Sequence, residues 1–162
     1  MTTDVSADLV LSPLGREPRT VAEWTTTFHL ALVVLDPYTY ESSWILDTAT
    51  RILRDYAAAD CRVAFLVTAD DADARQFLGP LVQEFLVFTD PDRTAVAALS
   101  LESLPAFVHV NQHHAVEADA QGWNPDDWRT VAENLSLRMS WGRPIIPAAG
   151  DPTPFPGSPA RG

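Results

Sequence analysis

Six consecutive apolar residues, Leu30–Leu35, place the strongest constraint on the fold. A strand with one face in water alternates apolar and polar residues, whereas a strand buried on both faces is apolar throughout. The run fits the second pattern, so we expect helices to cover both of its faces. Further strands are predicted at 61–68 and 85–88, and helix-patterned stretches separate the three. Strands that alternate with helices predict an α/β protein with a parallel core.

A predicted hairpin follows this core. Leu104-Pro105 precedes the strand-like segment Ala106–Val110, residues 111–114 are typical of a turn, and residues 115–118 return as a second strand. The whole is therefore expected to be a central mixed sheet with a parallel core and a C-terminal antiparallel hairpin, with helices on both faces.

Three segments are predicted along the chain. Residues 1–19 have little periodicity and are expected to form an irregular arm. Residues 20–141 contain the predicted strands and helices and form the domain. Residues 142–162 are rich in proline, which cannot donate to a helix or a central strand, so this tail is expected to be extended, polyproline-like or disordered.

The charge balance excludes several classes of function. The formal net charge is −11, from 22 acidic residues against 11 basic ones, and every basic residue is arginine. No basic stripe is available to neutralise phosphates, so nucleic acid is not an expected partner. Without lysine there is no Schiff-base chemistry. No secretory signal and no apolar membrane span are visible, so neither a membrane partner nor export is expected, and a cytoplasmic location is predicted.

The single cysteine, Cys61, excludes an intramolecular disulfide. It begins the strand predicted at 61–68, whereas ligands of parallel sheets gather at the carboxyl ends of the strands. A reactive thiol is one interpretation. A small buried apolar side chain is the interpretation that its position favours.

These elements and several motifs resemble the thioredoxin-like superfamily. Aligned on the turn before the first long helix, Thr39 and Ser42 take the positions of the two cysteines of the CxxC motif. Residues 39–42 also resemble the Thr-x-x-Cys element of peroxiredoxins. Pro105 matches the family's cis-proline, and Gly122 matches a glycine after the hairpin. Residues 85–93 resemble the strand and Asp-Pro-Asp turn of the redoxin branch, which includes peroxiredoxins and TlpA-type thiol reductases.

That resemblance implies a degenerate redox site, because Thr39, Tyr40, Glu41 and Ser42 include no cysteine. A thiolate attacks disulfides and peroxides, whereas an alcohol ionises far above physiological pH and forms no stable mixed disulfide. Ser42 as a nucleophile activated by histidine is one reading, and Ser42 as the N-cap of the next helix is the favoured one. The histidines are predicted away from this turn, in strands (His29, His109) and in the hairpin turn (His113, His114). No catalytic residue is therefore predicted.

Several carboxylates are expected at the carboxyl edge of the sheet: Asp36, Glu41, Asp70, Asp71, Asp90 and Asp92. A hard divalent cation is one interpretation of such a cluster. Helix caps and a solvated acidic rim are the favoured one, because the acids follow no fixed ligand spacing. The adjacent His113 and His114 are typical of a polar turn. We therefore predict no metal and no cofactor.

Peptide binding is the function that the resemblance leaves. In the thioredoxin-like fold, the backbone of the residue before the cis-proline, here Leu104, can pair with an extended peptide. The predicted partner-binding residues are Tyr38, Tyr40, Glu41, Trp44, Ser103, Leu104 and Pro105, in which aromatic and polar groups mix as at interfaces. The three aromatic residues could equally be packing residues. The surrounding acids favour a cationic partner.

Two functional hypotheses remain. The leading one is a redox-inactive thioredoxin-like protein that acts as a protein-binding or assembly module, with the tail as a second contact. It would bind a protein or an extended peptide and could be a subunit of a larger complex. The alternative is a divergent peroxiredoxin-like or thiol-disulfide oxidoreductase that uses Cys61 or a partner's thiol.

Overall fold

The computed structural model describes residues 3–162. Their strands are β1 (Thr3–Asp4), β2 (Val10–Pro13), β3 (Arg19–Thr20), β4 (His29–Leu35), β5 (Cys61–Val67), β6 (Leu86–Thr89), β7 (Ser103–Leu104), β8 (Ala106–Val110), β9 (Ala115–Gln121) and β10 (Ser158–Pro159). Their helices are α1 (Val21–Trp24), α2 (Tyr40–Tyr56), α3 (Asp71–Leu78), α4 (Leu81–Glu84), α5 (Thr94–Ala98) and α6 (Pro125–Met139).

Strand β4 lies near the middle of the main sheet, whose described strands follow the order β1-β9-β8-β4-β5-β6-β2-β3. It runs parallel to β5 and antiparallel to β8, and β5 runs parallel to β6. Strands β8 and β9 form the antiparallel hairpin. Residues Leu30–Leu35 are all buried. The mixed sheet, its parallel core and its C-terminal hairpin are therefore confirmed.

Helices cover both faces of the sheet, as the apolar run predicts. Successive strand residues point to opposite faces. Ala31 and Val33 of β4 accordingly pack in one core cluster with α2, α3 and α6. Leu30 and Leu32 pack in a second cluster with α1 and α5. Among the helices of residues 3–162, none has both the length and the apolar character needed to cross a lipid bilayer.

The prediction of an irregular arm is wrong for the residues of the arm that form β1, β2 and the start of β3. Thr3 pairs with Val116 at one edge of the sheet, and Ser12 pairs with Thr89 at the other. These strands are two and four residues long, too short for a period-2 pattern to show in the sequence. Residues 1 and 2 of the predicted arm lie outside the described part of the chain.

The proline-rich tail is extended, and it is docked on the domain. Ile146 is buried in the α2 side of the core, and Ala160 is buried in the α5 side. Between them, Ser158–Pro159 pairs antiparallel with Ser103–Leu104. The disordered alternative for the tail is therefore wrong. The Leu104–Pro105 and Ile146–Pro147 peptide bonds are cis, and the first of these is the bond at the position of the family's cis-proline.

Helices α2 and α6 are joined by the buried hydroxyl of Tyr56. It donates to the carbonyl oxygen of Ala132 at 2.8 Å and shares a second hydrogen bond of 2.8 Å with the Ser136 hydroxyl. Burial, which disfavours the phenolate, raises the pKa of Tyr56 to about 12. The hydroxyl is therefore a neutral structural group at physiological pH.

The substitution Tyr56→Phe should lower the free energy of unfolding by about 1–2 kcal/mol, because it leaves the Ala132 carbonyl and the Ser136 hydroxyl without this partner. Urea denaturation followed by circular dichroism measures the change. The matched control is Tyr40→Phe, which removes a hydroxyl from a side chain that is 79% exposed and should change stability by less than about 0.5 kcal/mol. Equal losses in the two variants would contradict the structural role of the Tyr56 hydroxyl.

Candidate functional site

The candidate site begins where β4 ends, in the turn that leads into α2. The buried Asp36 accepts a hydrogen bond from the backbone N–H of Tyr38 at 3.0 Å, and its own carbonyl oxygen accepts one from the Thr39 hydroxyl at 2.9 Å. These bonds close the turn locally and bring Thr39 to the N-cap position of α2. Residues 39–42, where the degenerate redox site is predicted, are therefore the N-cap and the first residues of α2.

Ser42 is a structural residue of this turn. Its hydroxyl is buried and accepts a hydrogen bond from the backbone N–H of Asp36 at 2.8 Å. The helix begins at Tyr40, so Ser42 is the third residue of α2 and the prediction that Ser42 is the N-cap is wrong. His29 begins β4, about 20 Å away at roughly 3.3 Å per strand residue. The hydroxyl is therefore engaged by the backbone and remote from that imidazole base.

A buried ion pair links the turn to the tail. The Nη2 of Arg93 lies 2.8 Å from the Asp36 carboxylate, whose side chain is 5% exposed. The Nη1 of the same guanidinium donates to the carbonyl oxygen of Ala160. One arginine therefore connects the end of β4 with the end of the chain.

The tail occupies the backbone edge that was predicted to hold a partner peptide. Ser158 lies opposite Leu104 and Pro159 opposite Ser103, and the N–H of Ala160 donates to the carbonyl of Glu102 at 2.9 Å. Leu104 is fully buried and Pro105 is buried beside it. A partner peptide can therefore reach this edge only after the tail leaves it.

Further contacts hold the tail before it reaches this edge. The Asp151 carboxylate accepts hydrogen bonds from Arg51 and Thr48, both at 2.8 Å. Trp123 and Phe155 exchange backbone hydrogen bonds of 2.8 and 3.0 Å. The Phe155 ring meets the Trp44 ring edge-on, with centroids 5.6 Å apart. The tail is thus fixed by charge, by backbone pairing and by an aromatic contact.

Two glycines allow the tail to approach this closely. Gly157 has φ +86°, and a Cβ there would lie 2.6 Å from the carbonyl oxygen of Leu104. Gly122 has φ +71°, and its Cβ would lie 2.5 Å from the carbonyl oxygen of Pro156. Both approaches are to backbone atoms, which cannot rotate away, so these two positions require glycine.

Aromatic side chains are exposed beside the turn. Tyr38 is 65% exposed and Trp44 is 56% exposed, and the Tyr40 ring stacks on Trp44 with centroids 6.4 Å apart. The Tyr38 hydroxyl donates to Asp73, and this hydrogen bond raises the pKa of Tyr38 to about 12. Glu41 at the start of α2 is half-buried. These aromatic residues form a surface that is available for contact, which we call the aromatic rim (Tyr38, Tyr40 and Trp44).

Cys61 lies at the opposite end of the sheet from the turn, at the start of β5. Its thiol is buried and donates to the carbonyl of Tyr56 at 3.6 Å. Burial raises the pKa of this thiol to about 11. The side chain therefore has the surroundings of a structural cysteine.

The acids at the carboxyl edge act as caps and ion-pair partners. Asp70 accepts from the N–H of Asp73 at the start of α3, and Asp90 accepts from two backbone N–H groups of α5, at 3.1 and 3.0 Å. Asp71 accepts from the Thr89 hydroxyl at 2.9 Å. Such bonds satisfy the free N–H groups of helix starts. They support the interpretation of these acids as helix caps.

The histidines form a cluster that the sequence did not predict. His29 Nδ1 lies 2.7 Å from His109 Nε2, and that nitrogen lies 3.5 Å from a carboxylate oxygen of Glu117. Burial lowers the pKa of both imidazoles, to about 4 for His109. Among residues 3–162 this is the one group of three potential ligands with metal-site spacing. The cluster depends on the register of three strands, which the sequence pattern does not give.

Comparison with solved structures identifies the fold. A protein from Chlorobium tepidum, described as a thiol:disulfide interchange protein DsbE, superposes with a TM-score of 0.68 at 16% identity, over 86% of this chain and 98% of that one. A hypothetical protein from Sinorhizobium meliloti gives a TM-score of 0.66 at 16% identity, over 99% of this chain and 94% of that one. The Xanthomonas campestris bacterioferritin comigratory protein, studied for alkyl peroxide reduction, gives 0.64 at 12% identity, over 87% and 97%.

The fold is therefore thioredoxin-like, as the sequence motifs predict. Identities of 12–16% establish the fold alone. No family model matches the sequence, and no curated protein is significantly similar to it.

The Cys61 thiol should be inert in the folded protein. With a pKa of about 11, roughly one thiol in a thousand is ionised at pH 8, and burial restricts access further. We expect slow reaction with Ellman's reagent in buffer and complete reaction in 6 M guanidinium, with no turnover of insulin disulfides or peroxide. Rapid labelling of the native protein, or turnover that Cys61→Ser abolishes, would favour the oxidoreductase hypothesis.

The substitution Gly157→Ala should destabilise the docked tail. The matched control is Gly150→Ala, at a tail residue that also has a positive φ, +91°, but has no neighbouring atom within 4 Å of the added Cβ. Both variants carry the cost of a left-handed alanine, about 1–2 kcal/mol, and only Gly157→Ala adds an overlap with backbone. Thermal unfolding and limited proteolysis of the tail should show the larger effect for Gly157→Ala. Indistinguishable variants would contradict the tight approach at Leu104.

Proposed function

We propose that this chain, which has the thioredoxin-like fold of the redoxins, is a redox-inactive module that binds an extended segment of a partner protein at the edge of β7. The observation that carries this proposal is the pairing of residues 158–159 with β7. The protein already holds an extended peptide at this edge, in antiparallel register. Strand addition of this kind is a general mode of peptide recognition, because the backbone supplies hydrogen bonds to any sequence.

The tail is then the resident ligand of the binding groove. We define the groove as the β7 edge, Arg93 and the aromatic rim. The tail presents to it a strand (Ser158–Pro159), a carbonyl for Arg93 at Ala160, and an aromatic ring for Trp44 at Phe155. A partner segment that replaces the tail needs the same three features. These features define the partner more closely than the sequence alone could.

The chemistry of the turn supports binding without electron transfer. Thiol-disulfide exchange requires a thiolate that can reach the substrate. At this turn Ser42 has a buried hydroxyl that accepts from the backbone, and the one thiol lies at the other end of the sheet. The groove therefore retains the architecture for holding a peptide next to the turn, and its turn residues contribute hydroxyl, phenol and carboxyl groups.

The charge of the protein favours a cationic partner. The net charge is −11, and two exposed acids lie beside the groove: the charge of Asp70 contributes to the raised pKa of Tyr38, and the backbone of Glu102 binds Ala160 of the tail. Fixed negative charge attracts a positively charged segment during the encounter, and the effect weakens as salt screens it. We therefore propose an extended partner segment with arginine or lysine side chains beside its paired residues.

The tail also sets the apparent affinity for such a partner. A segment tethered to its own binding site has an effective concentration in the millimolar range. A free segment of equal intrinsic affinity must compete with it, so its apparent affinity falls by the fraction of molecules in which the groove is open. The tail thus makes the module selective for partners that bind better than the tail does.

A direct test uses a labelled peptide of residues 150–162 and two forms of the protein, full-length and truncated after Ala148. The truncation keeps the buried Ile146. Fluorescence anisotropy should show binding to the truncated protein that is at least about ten-fold tighter than binding to the full-length protein, because only the latter contains the competing tail. Adding arginines to the peptide should tighten binding at low salt, and adding glutamates should weaken it.

The matched control peptides carry Gly157→Ala and Gly150→Ala. The first places a Cβ 2.6 Å from the Leu104 carbonyl oxygen and should not bind, whereas the second adds no overlap and should bind with at most the loss that a left-handed alanine causes. Equal affinity for the two protein forms, or equal affinity for the two peptides, would refute the groove as the binding site. If the truncated protein is not folded by circular dichroism, the full-length Gly157→Ala protein replaces it, since this substitution weakens the docking of the tail and leaves the residues of the groove unchanged.

A further inference from the structure

We propose that His29, His109 and Glu117 form a binding site for a divalent transition-metal ion of the zinc type. The three side chains come from β4, β8 and β9, at the end of the sheet opposite the groove. Two imidazoles and one carboxylate are ligands that Zn²⁺ takes in proteins. This site is separate from the proposed peptide groove and does not depend on it.

Strand register brings the three ligands together. His109 lies opposite Ala31 on β4 and opposite Ala118 on β9, and the pairing shifts between His109 and Val110. Glu117 falls in that irregularity. Such a bulge changes the direction of a side chain relative to the regular strand. Here it leaves the carboxylate facing the imidazole of His109, with an oxygen–nitrogen distance of 3.5 Å.

A hydrogen bond fixes which nitrogen of His109 can bind a metal. Its Nδ1 lies 2.7 Å from the side-chain oxygen of Asn134 on α6, which can only accept, so Nδ1 carries the proton. The lone pair is then on Nε2, the nitrogen that faces His29 and Glu117. Metal-binding histidines commonly donate their second nitrogen to an oxygen in this way, which sets the ring orientation and raises the basicity of the ligand.

The Glu117 carboxylate contributes an oxygen that no described residue satisfies with a hydrogen bond. One oxygen of Glu117 pairs with Arg138, and the other, Oε2, is buried and has no hydrogen-bond partner among the described residues. The side chain is 7% exposed. A buried unpaired carboxylate oxygen is costly. Because Oε2 faces His109 Nε2, a cation between them would satisfy the carboxylate oxygen and would replace the hydrogen bond that Nε2 accepts from His29.

The distances suit a tetrahedral ion after a small adjustment. Zn–N and Zn–O bonds of about 2.0–2.2 Å place neighbouring ligand atoms about 3.3 Å apart. The His109–Glu117 distance of 3.5 Å is close to this value. The His29–His109 distance of 2.7 Å is that of a hydrogen bond in which His29 Nδ1 donates, so on metal binding the two nitrogens must separate by about 0.6 Å and the proton of His29 must move from Nδ1 to Nε2. His29 is half-buried, so its ring can move outward while the buried ring of His109 stays in place.

A pocket supplies access and space for a fourth ligand. It has a volume of about 170 Å³ and is lined by His29, Glu117, Arg138 and three residues of the hairpin turn, among them His113. The fourth position is therefore open to water or to the His113 imidazole. The guanidinium of Arg138 holds Glu117 in place, and its positive charge lowers the affinity for a cation, so we expect micromolar rather than picomolar binding.

The test titrates the full-length, EDTA-treated protein with Zn²⁺ by calorimetry and measures thermal unfolding with and without the metal. We expect one ion per chain and a rise of several degrees in Tm at saturating Zn²⁺, because the ion joins three strands in the folded state only. Co²⁺ should give visible absorption bands of tetrahedral nitrogen and oxygen coordination, a readout that needs no variant. Absence of both the isotherm and these bands would refute the site.

Variants identify the ligands. His29→Ala and Glu117→Gln should each weaken Zn²⁺ binding at least about ten-fold. The matched control is His114→Ala, which removes a histidine of the same hairpin turn that does not line the pocket and should leave affinity unchanged. Circular dichroism confirms that the variants fold, and His29→Asn replaces any His29→Ala protein that does not. Wild-type affinity in His29→Ala and Glu117→Gln would mean that Zn²⁺ binds elsewhere and would overturn the proposal.

Discussion

The burial of Leu30–Leu35 in β4 is the constraint on which the rest of the structure depends. A strand without access to water needs a paired neighbour at each edge and apolar cover on each face. Strands β5 and β8 pair with the two edges of β4, and helices cover its two faces. The same strand carries a candidate site at each end, since His29 begins it and Asp36 follows its last residue. Its length of about 20 Å keeps the two sites apart.

Much of this core could be predicted because it rests on local patterns. The apolar run Leu30–Leu35 reports burial on both faces directly, and the turn at 36–42 follows from a strand that must pass into a helix. The cap at Asp70 is a single residue whose chemistry is the same in any fold. The resemblance added the predicted position of the proposed groove, because it places Pro105 beside the turn.

The docked tail and the histidine cluster could not be predicted, because both depend on contacts between distant segments. The prolines of the tail exclude a helix but do not indicate which residues the tail contacts. The need for glycine at position 157 becomes clear only in the structure, where an added Cβ would lie 2.6 Å from the carbonyl oxygen of Leu104. The cluster requires the shift in pairing after His109, and a slip of one residue would turn Glu117 to the other face. Neither fact is contained in a local pattern.

Arg93 shows what the docked tail supplies to the turn. A buried ion pair with Asp36 is stable only when the remaining donors of the guanidinium are also satisfied. In this structure the carbonyl of Ala160 satisfies one of them. If the tail left this edge, as the proposed function requires, that donor and the backbone of Leu104 would lose these partners. Another extended backbone would supply both again, and water would supply them without the strand pairing. This requirement is the same whether residues 39 and 42 carry sulfur or oxygen.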